Sequence, residues 1–140
     1  MLHTLTYSSA ASFVLSEREV TVLLARSREL NVADNITGLL VYLRLAEDRA
    51  AFVQVLEGDR DAVERTYARI EGDELHTDLR VLHRAETERR RFSRWSMKFA
   101  RLDPLALPEV LAGAGDPLAD RAWVERVIAA VAGQADAFGS

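Results

Sequence analysis

Residues 36–45, ITGLLVYLRL, are almost uninterruptedly apolar, and residues 50–57, AAFVQVLE, repeat the pattern after the polar stretch Glu47-Asp48-Arg49. A strand with one wet face alternates apolar and polar residues, whereas a continuous apolar run belongs to a strand covered on both faces. Two such runs in succession predict a hairpin deep in a sheet, with a loop longer than the two-residue type. The rest of the chain must therefore supply helices to cover that sheet.

It does so in a readable order. Residues 2–8 predict a strand with Leu5 and Tyr7 on one face and Thr4, Thr6 and Ser8 on the other. Residues 8–15 are a small-residue connector, and Ser16-Glu17-Arg18-Glu19 has the form of a capping box. A helix over 16–32 follows, with Val20, Leu23, Leu24, Ser27 and Leu30 as its inner stripe, turning polar at Ser27 and Asn31. Gly58-Asp59 ends the second apolar strand and opens another helix, with Asp59 as N-cap, Val63, Tyr67 and Ile70 inward, and Gly72 as its stop.

Residues 79–86 predict a fourth strand and 95–101 a fifth, with Trp95, Met97 and Phe99 on one face and Ser96 and Lys98 on the other. Pro104 and Pro108 end the sheet. A short helix near 105–112 and a longer one near 117–134 follow, the latter capped by Asp116 with Pro117 at its first position and Trp123, Val127, Ile128 and Val131 as its stripe. The order β-α-β-β-α-β-β predicts an α+β sandwich of ferredoxin-like type: a five-stranded mixed sheet, two helices on one face, and a C-terminal helical extension. The expected division is a domain over 1–101 and a helical cap over 102–140.

Composition removes several function classes. The chain has 140 residues, a net charge of −4 and no cysteine, so disulfides, zinc knuckles and thiol chemistry are excluded. The acidic balance argues against nucleic acid as a partner. No apolar run approaches the ~18–20 residues that cross a bilayer. The start MLHTLTYSS carries no export signal, so a cytoplasmic location is expected. Scattered acids around His76 make no metal site. Arg89-Arg90-Arg91 is expected to be a solvated edge or an oligomer contact.

Three polar residues do not suit a plain core. Gln54 lies between Phe52 and Leu56 on one strand face, the face the two helices would cover. An unpaired buried amide costs about 1–3 kcal/mol, so Gln54 needs partners. Tyr7 ends a strand on the Leu5 face, and Asn31 sits one helical turn after Ser27. Each has a plainer reading: an edge glutamine, a core phenol, a helix C-cap. Together they suit a cleft between two helices, floored by a sheet, that takes a flat heteroaromatic ligand with polar edges.

NITGLLVYL at 35–43, FVQVLEGD at 52–59 and RRRFSRWSM at 89–97 resemble the signature blocks of BLUF domains, blue-light sensors that use FAD. The resemblance runs from about Leu2 to Phe99. It implies that Tyr7 is the photoactive tyrosine, that Gln54 stands between it and the flavin, and that Trp95 and Met97 compete for the place beside Gln54. It further implies that Asn31 holds the pyrimidine edge of the flavin (FAD, or FMN or riboflavin), with His76, Asp73 and Ser9 nearby and Ser27, Ile36 and Phe52 lining the ring. The sequence departs from the family at Leu75 and Leu30, where basic or polar residues are usual, and in a hairpin about five residues longer.

The resemblance implies a photoreceptor, not an enzyme. Light would reorient or tautomerise the Gln54 amide, red-shift the flavin and move the fifth strand. With no cysteine to form a thiol adduct, hydrogen-bond rearrangement is the remaining way to store the signal. The expected outlet is a partner protein or a homo-oligomer. The competing readings are a flavin-free interaction module of the same fold and, less well supported, a small acyl-phosphate hydrolase, for which no Gly-rich anion loop is present.

Overall fold

A computed structural model describes residues 2–102 and 117–132. Strand β1 (Leu2–Ala11) leads to helix α1 (Glu17–Ala33), then the hairpin β2 (Thr37–Ala46) and β3 (Arg49–Asp59). Helix α2 (Arg60–Glu71), β4 (His76–Thr87), β5 (Lys98–Leu102), a 3-10 turn (Pro117–Ala119) and helix α3 (Arg121–Ala132) follow. The sheet order is β4-β1-β3-β2-β5. β5 runs parallel to β2, and the other neighbours are antiparallel. This is the five-stranded mixed sheet and ferredoxin-like order the sequence implied.

The two apolar strands sit where their composition requires, β3 and β2 inside the sheet. Their alternate side chains feed two separate cores. Leu40, Tyr42, Phe52 and Leu56 pack with Val20 and Leu24 of α1 and Ala62, Val63 and Tyr67 of α2. Leu39, Val41, Leu43, Val53 and Val55 pack with Trp123, Val124, Val127, Ile128 and Val131 of α3. Thus α3 covers the sheet face opposite α1 and α2.

Local signals account for the ends of α1. Ser16 Oγ accepts the Glu19 N–H at 3.1 Å, and Glu19 Oε1 accepts the Ser16 N–H at 2.9 Å. At the other end Asn35 takes a left-handed φ of 54°, and the Ile36 N–H reaches back to the Asn31 carbonyl at 2.8 Å. That is a Schellman-type stop, in which asparagine replaces the usual glycine. It turns Ile36 into the core, where it is 1% exposed.

Several boundaries differ from the sequence reading. The β2–β3 loop is only Glu47-Asp48, because a register shift at Arg44/Ala46 lets both strands run further. Arg44 braces it by donating to the Ala46 and Glu47 carbonyls at 2.9 and 2.5 Å. β1 continues through Ala11 and β4 begins at His76, so Ser9 and His76 lie on strands. Asp59 precedes α2 without a side-chain cap bond. Asp120 caps α3, its carboxylate accepting the N–H groups of Ala122 and Trp123 at 2.9 and 3.3 Å. Asp116 and the helix expected near 105–112 lie outside the described residues.

The largest difference concerns the fifth strand, which starts at Lys98 and not at 95. The carbonyls just before it are engaged elsewhere. Trp95 O accepts the Gly38 N–H at 3.3 Å, Ser96 O accepts Asn31 Nδ2 at 2.8 Å, and Met97 O accepts Arg28 Nε at 3.0 Å. Helix α1 therefore holds residues 96 and 97 in place of a strand ladder, and strict alternation fails there. Met97 joins the core under α1 and α2, while Trp95 packs on the α3 side.

Glu57 anchors the approach to this segment. Its carboxylate, 2% exposed, accepts from Thr37 Oγ1 at 3.0 Å and from the N–H groups of Arg91 and Phe92 at 2.5 and 2.9 Å. A buried carboxylate with three donors is compensated for its lost water.

Candidate functional site

A cleft of about 610 Å³, partly open to solvent, lies between α1 and α2 above the sheet. Its walls are apolar at Leu23, Leu30, Leu40, Phe52 and Ile70. Ser27, Asn31, Gln54, Asp73 and His76 place polar groups in it. This is the composition of a small-molecule site: mostly apolar, with a few convergent donors and acceptors.

The register of the sheet brings the two central residues together. Tyr7 of β1 is paired with Gln54 of β3, on the face under the helices. The Tyr7 hydroxyl donates to Gln54 Oε1. Tyr7 is fully buried, and burial pushes its phenol well above the usual range, with the nearby Tyr67 and Asp73 adding to the rise. The phenol thus stays a donor. That fixes the Gln54 amide with oxygen toward tyrosine and nitrogen away from it. Gln54 Nε2 lies 3.5 Å from Met97 Sδ, a weak acceptor. An amide NH₂ has two hydrogens, so one remains for a ligand in the cleft.

Asn31 presents the complementary group. Its Nδ2 donates to the Ser96 carbonyl at 2.8 Å, which leaves Oδ1 as an acceptor at the cleft wall. A ring edge carrying an imide N–H and flanking carbonyls finds an acceptor at Asn31 and a donor at Gln54. The residues present therefore fit an isoalloxazine.

His76 and Ser9 form a third group. Ser9 Oγ lies 2.8 Å from His76 Nδ1, and the His76 ring leans on Phe52 with centroids 4.7 Å apart. Burial lowers the His76 pKa, and the Asp73 carboxylate opposes this. Asp73 also builds the turn into β4, its Oδ1 accepting the Leu75 N–H at 3.0 Å.

Of the residues singled out from sequence, Tyr7, Gln54, Met97, Asn31, Ser27, Phe52, Asp73, His76 and Ser9 come together at or beneath the cleft. Ile36, turned inward by the stop of α1, belongs to the same buried cluster as Tyr7, Phe52 and Met97. One residue lies apart. Trp95 lies across the sheet, its ring 4.5 Å from Lys98 Nζ, so Met97 alone holds the place beside Gln54.

Sequence reasoning missed Arg26 and Arg69, exposed arginines on the α1 and α2 walls. Helical spacing carried the signal: Arg26 stands one turn before Leu30, and Arg69 one turn before Asp73. Where Leu30 and Leu75 lack a cation, these two guanidiniums supply charge at the cleft.

Comparison with known proteins agrees with this geometry. The family described as sensors of blue-light using FAD (BLUF) matches residues 2–98. A photoactivated adenylate cyclase subunit beta of Euglena gracilis is 35% identical over 106 residues, covering 75% of this chain but 12% of that protein. The chain thus spans about an eighth of that relative's length. Among solved structures, a bacterial light-regulated adenylyl cyclase is 36% identical with a TM-score of 0.66, over 73% of this chain and 29% of that one. The dark-state structure of BlrB, a BLUF protein, is 29% identical with a TM-score of 0.72, over 92% and 96% of the two chains. In both cyclases the part matched is the sensor, not the catalytic part. With its Tyr7–Gln54 pair at the floor of the cleft between α1 and α2, this chain belongs to the BLUF family of blue-light sensors that use FAD.

Proposed function

We propose that this protein converts blue light into a displacement of the segment 95–98 by reversing the Gln54 amide. The observation that supports this most is the position of Gln54, which accepts from Tyr7 on one side and faces Met97 and the cleft on the other. When bound, the flavin supplies absorption of blue light and, once excited, a strong oxidising centre.

Tyr7, a buried phenol hydrogen-bonded to Gln54 beneath the cleft, would be the electron and proton donor to that centre. As an electron left Tyr7, its proton would pass along the existing hydrogen bond to Gln54 Oε1. With the return of both electron and proton to Tyr7, the Gln54 amide would settle rotated or tautomerised, since an amide carries both a donor and an acceptor end. Nε2 would then leave Met97 Sδ, and Gln54 would present a changed hydrogen-bonding group to the cleft. Arg26 and Arg69 would hold the cofactor's phosphates, and Asn31 the imide edge.

Met97 is adjacent to Lys98, whose ammonium donates to the Ala132 carbonyl at the C-terminal end of α3 at 2.6 Å. This favours residues 1–101 as the sensor and the chain beyond as its outlet, read by a partner protein or a second copy. The cyclase activity of the relatives is theirs. A flavin-free interaction module is the weaker reading, since Asn31 and Gln54 keep polar groups directed to the cleft.

Purified protein supplied with FAD tests the proposal. A reversible red shift of the flavin band in light, absent in Tyr7→Phe and Gln54→Leu, is expected. Protein that takes up no flavin, or a Gln54→Leu variant with an unaltered photocycle, contradicts it.

A further inference from the structure

The basic run 89–91 is unused by the light-sensing site, and its three guanidiniums behave differently. Arg90 is structural: it donates to Thr37 Oγ1 at 3.0 Å and to the Glu57 and Asn35 carbonyls at 3.2 and 2.9 Å. Arg89 and Arg91 instead line a second cleft of about 690 Å³ on the α3 side of the sheet. Thr4 and Thr6 of β1, His83 of β4 and Arg121 at the start of α3 line it with them.

Its wall keeps a positive excess, Arg89, Arg91 and Arg121 against Glu57 and Glu125. The Glu57 carboxylate is held by Thr37 and by the N–H groups of residues 91 and 92. Glu125 pairs with Arg91 at 3.6 Å. The side chains of Thr4, Thr6, His83, Arg89 and Arg121 make no hydrogen bond or ion pair with other described residues. Thr6 is 4% exposed and stands on the wall of the cleft beside Thr4.

Two guanidiniums without a partner among the described residues, two hydroxyls and an imidazole line the same cleft. This is the donor set for a tetrahedral oxyanion: planar forks that bind two oxygens each, and neutral donors for the rest. Asp120 already occupies the first N–H groups of α3, so the anion is met by side chains and not by the helix end. We propose that this cleft binds a phosphate group, free or carried on a small molecule. The bound phosphate bridges β1 and β4 to Arg121, and so ties α3 to the sheet face opposite the flavin cleft.

The test uses the FAD-loaded protein, with melting and titration calorimetry in inorganic phosphate, in a nucleoside diphosphate and in sodium chloride at matched ionic strength. Phosphate is expected to raise the melting temperature above the chloride control. Arg89→Gln and Arg121→Gln are exposed changes that should leave the flavin band intact and weaken phosphate binding about tenfold or more each, the value of a charge-assisted hydrogen bond. A diphosphate that binds more tightly than inorganic phosphate points to a phosphorylated small molecule, and equal binding to free phosphate; both support the site. Equal melting in phosphate and chloride overturns it. So does unchanged phosphate affinity in both variants, or release of flavin by phosphate, which would put the anion in the other cleft.

Discussion

At the residue scale, function rests on one amide held by one phenol. Gln54 sits where a plain core would place a third apolar residue after Phe52. Its burial is compensated by Tyr7 on one side and Met97 on the other. Because Met97 Sδ is a weak acceptor, the dark-state amide is held firmly at one end only, which leaves it free to reverse. Met97→Ala removes a contact worth roughly 1 kcal/mol, and should change the dark-recovery rate about fivefold in a flash-photolysis trace. Trp95→Phe, on the far side of the sheet, should leave that rate within about twofold by the same relation. A large effect from Trp95 and none from Met97 would reverse the assignment.

His76 gives a residue-scale prediction in pH. Its folded pKa is lowered, chiefly by burial, so the unfolded chain binds its proton more readily. Stability from this group is therefore whole above about pH 6.5, the unfolded value, and is lost as pH falls toward the depressed folded value. Urea midpoints should fall across that window in the parent and less so in His76→Gln.

At the element scale, the segment before β5 decides what was legible in the sequence. Strand periodicity placed Met97 and Phe99 correctly on the helix-facing side. It misplaced Trp95 because the carbonyls of residues 95–97 go to Gly38, Asn31 and Arg28, partners about 60 residues away that no local pattern reveals. The inward turn of Ile36 is hidden for a similar reason: it follows from the left-handed Asn35, which composition alone does not disclose. The capping box of α1, by contrast, is local and was readable. Ser16→Ala should cost about 1 kcal/mol in urea unfolding. Gly38 carries a larger constraint, since a Cβ there would run into the Val55 carbonyl oxygen. Gly38→Ala must push β2 from β3, and should be far more damaging than Ser16→Ala in the same assay.

At the scale of the whole molecule, the sheet works as a partition. The continuous apolar strands foretold cover on both faces, and the structure divides that cover into two cores: one beneath the flavin cleft, one beneath α3. Lys98 joins the two. It follows Met97 in the chain, yet its ammonium lies on the other side, buried against the Trp95 ring and the last carbonyl of α3. A cation suits the negative end of a helix. Lys98→Ala should destabilise the fold by about 2 kcal/mol, the value of a hydrogen bond from a charged group. It should also loosen α3, read as faster amide exchange in residues 121–132, while leaving the red shift in place. Loss of the red shift would mean that Lys98 supports the flavin cleft itself.

The claim beneath all of this is that light reverses the hydrogen bonding of Gln54. A light-minus-dark infrared difference spectrum of the FAD-loaded protein addresses it directly. Reversal of the amide predicts a flavin carbonyl stretch that shifts in the light, as the group Gln54 presents to the ring edge changes, and no such band in Gln54→Leu. A red-shifted visible spectrum with the carbonyl stretch unmoved, or the same infrared band in Gln54→Leu, would contradict it.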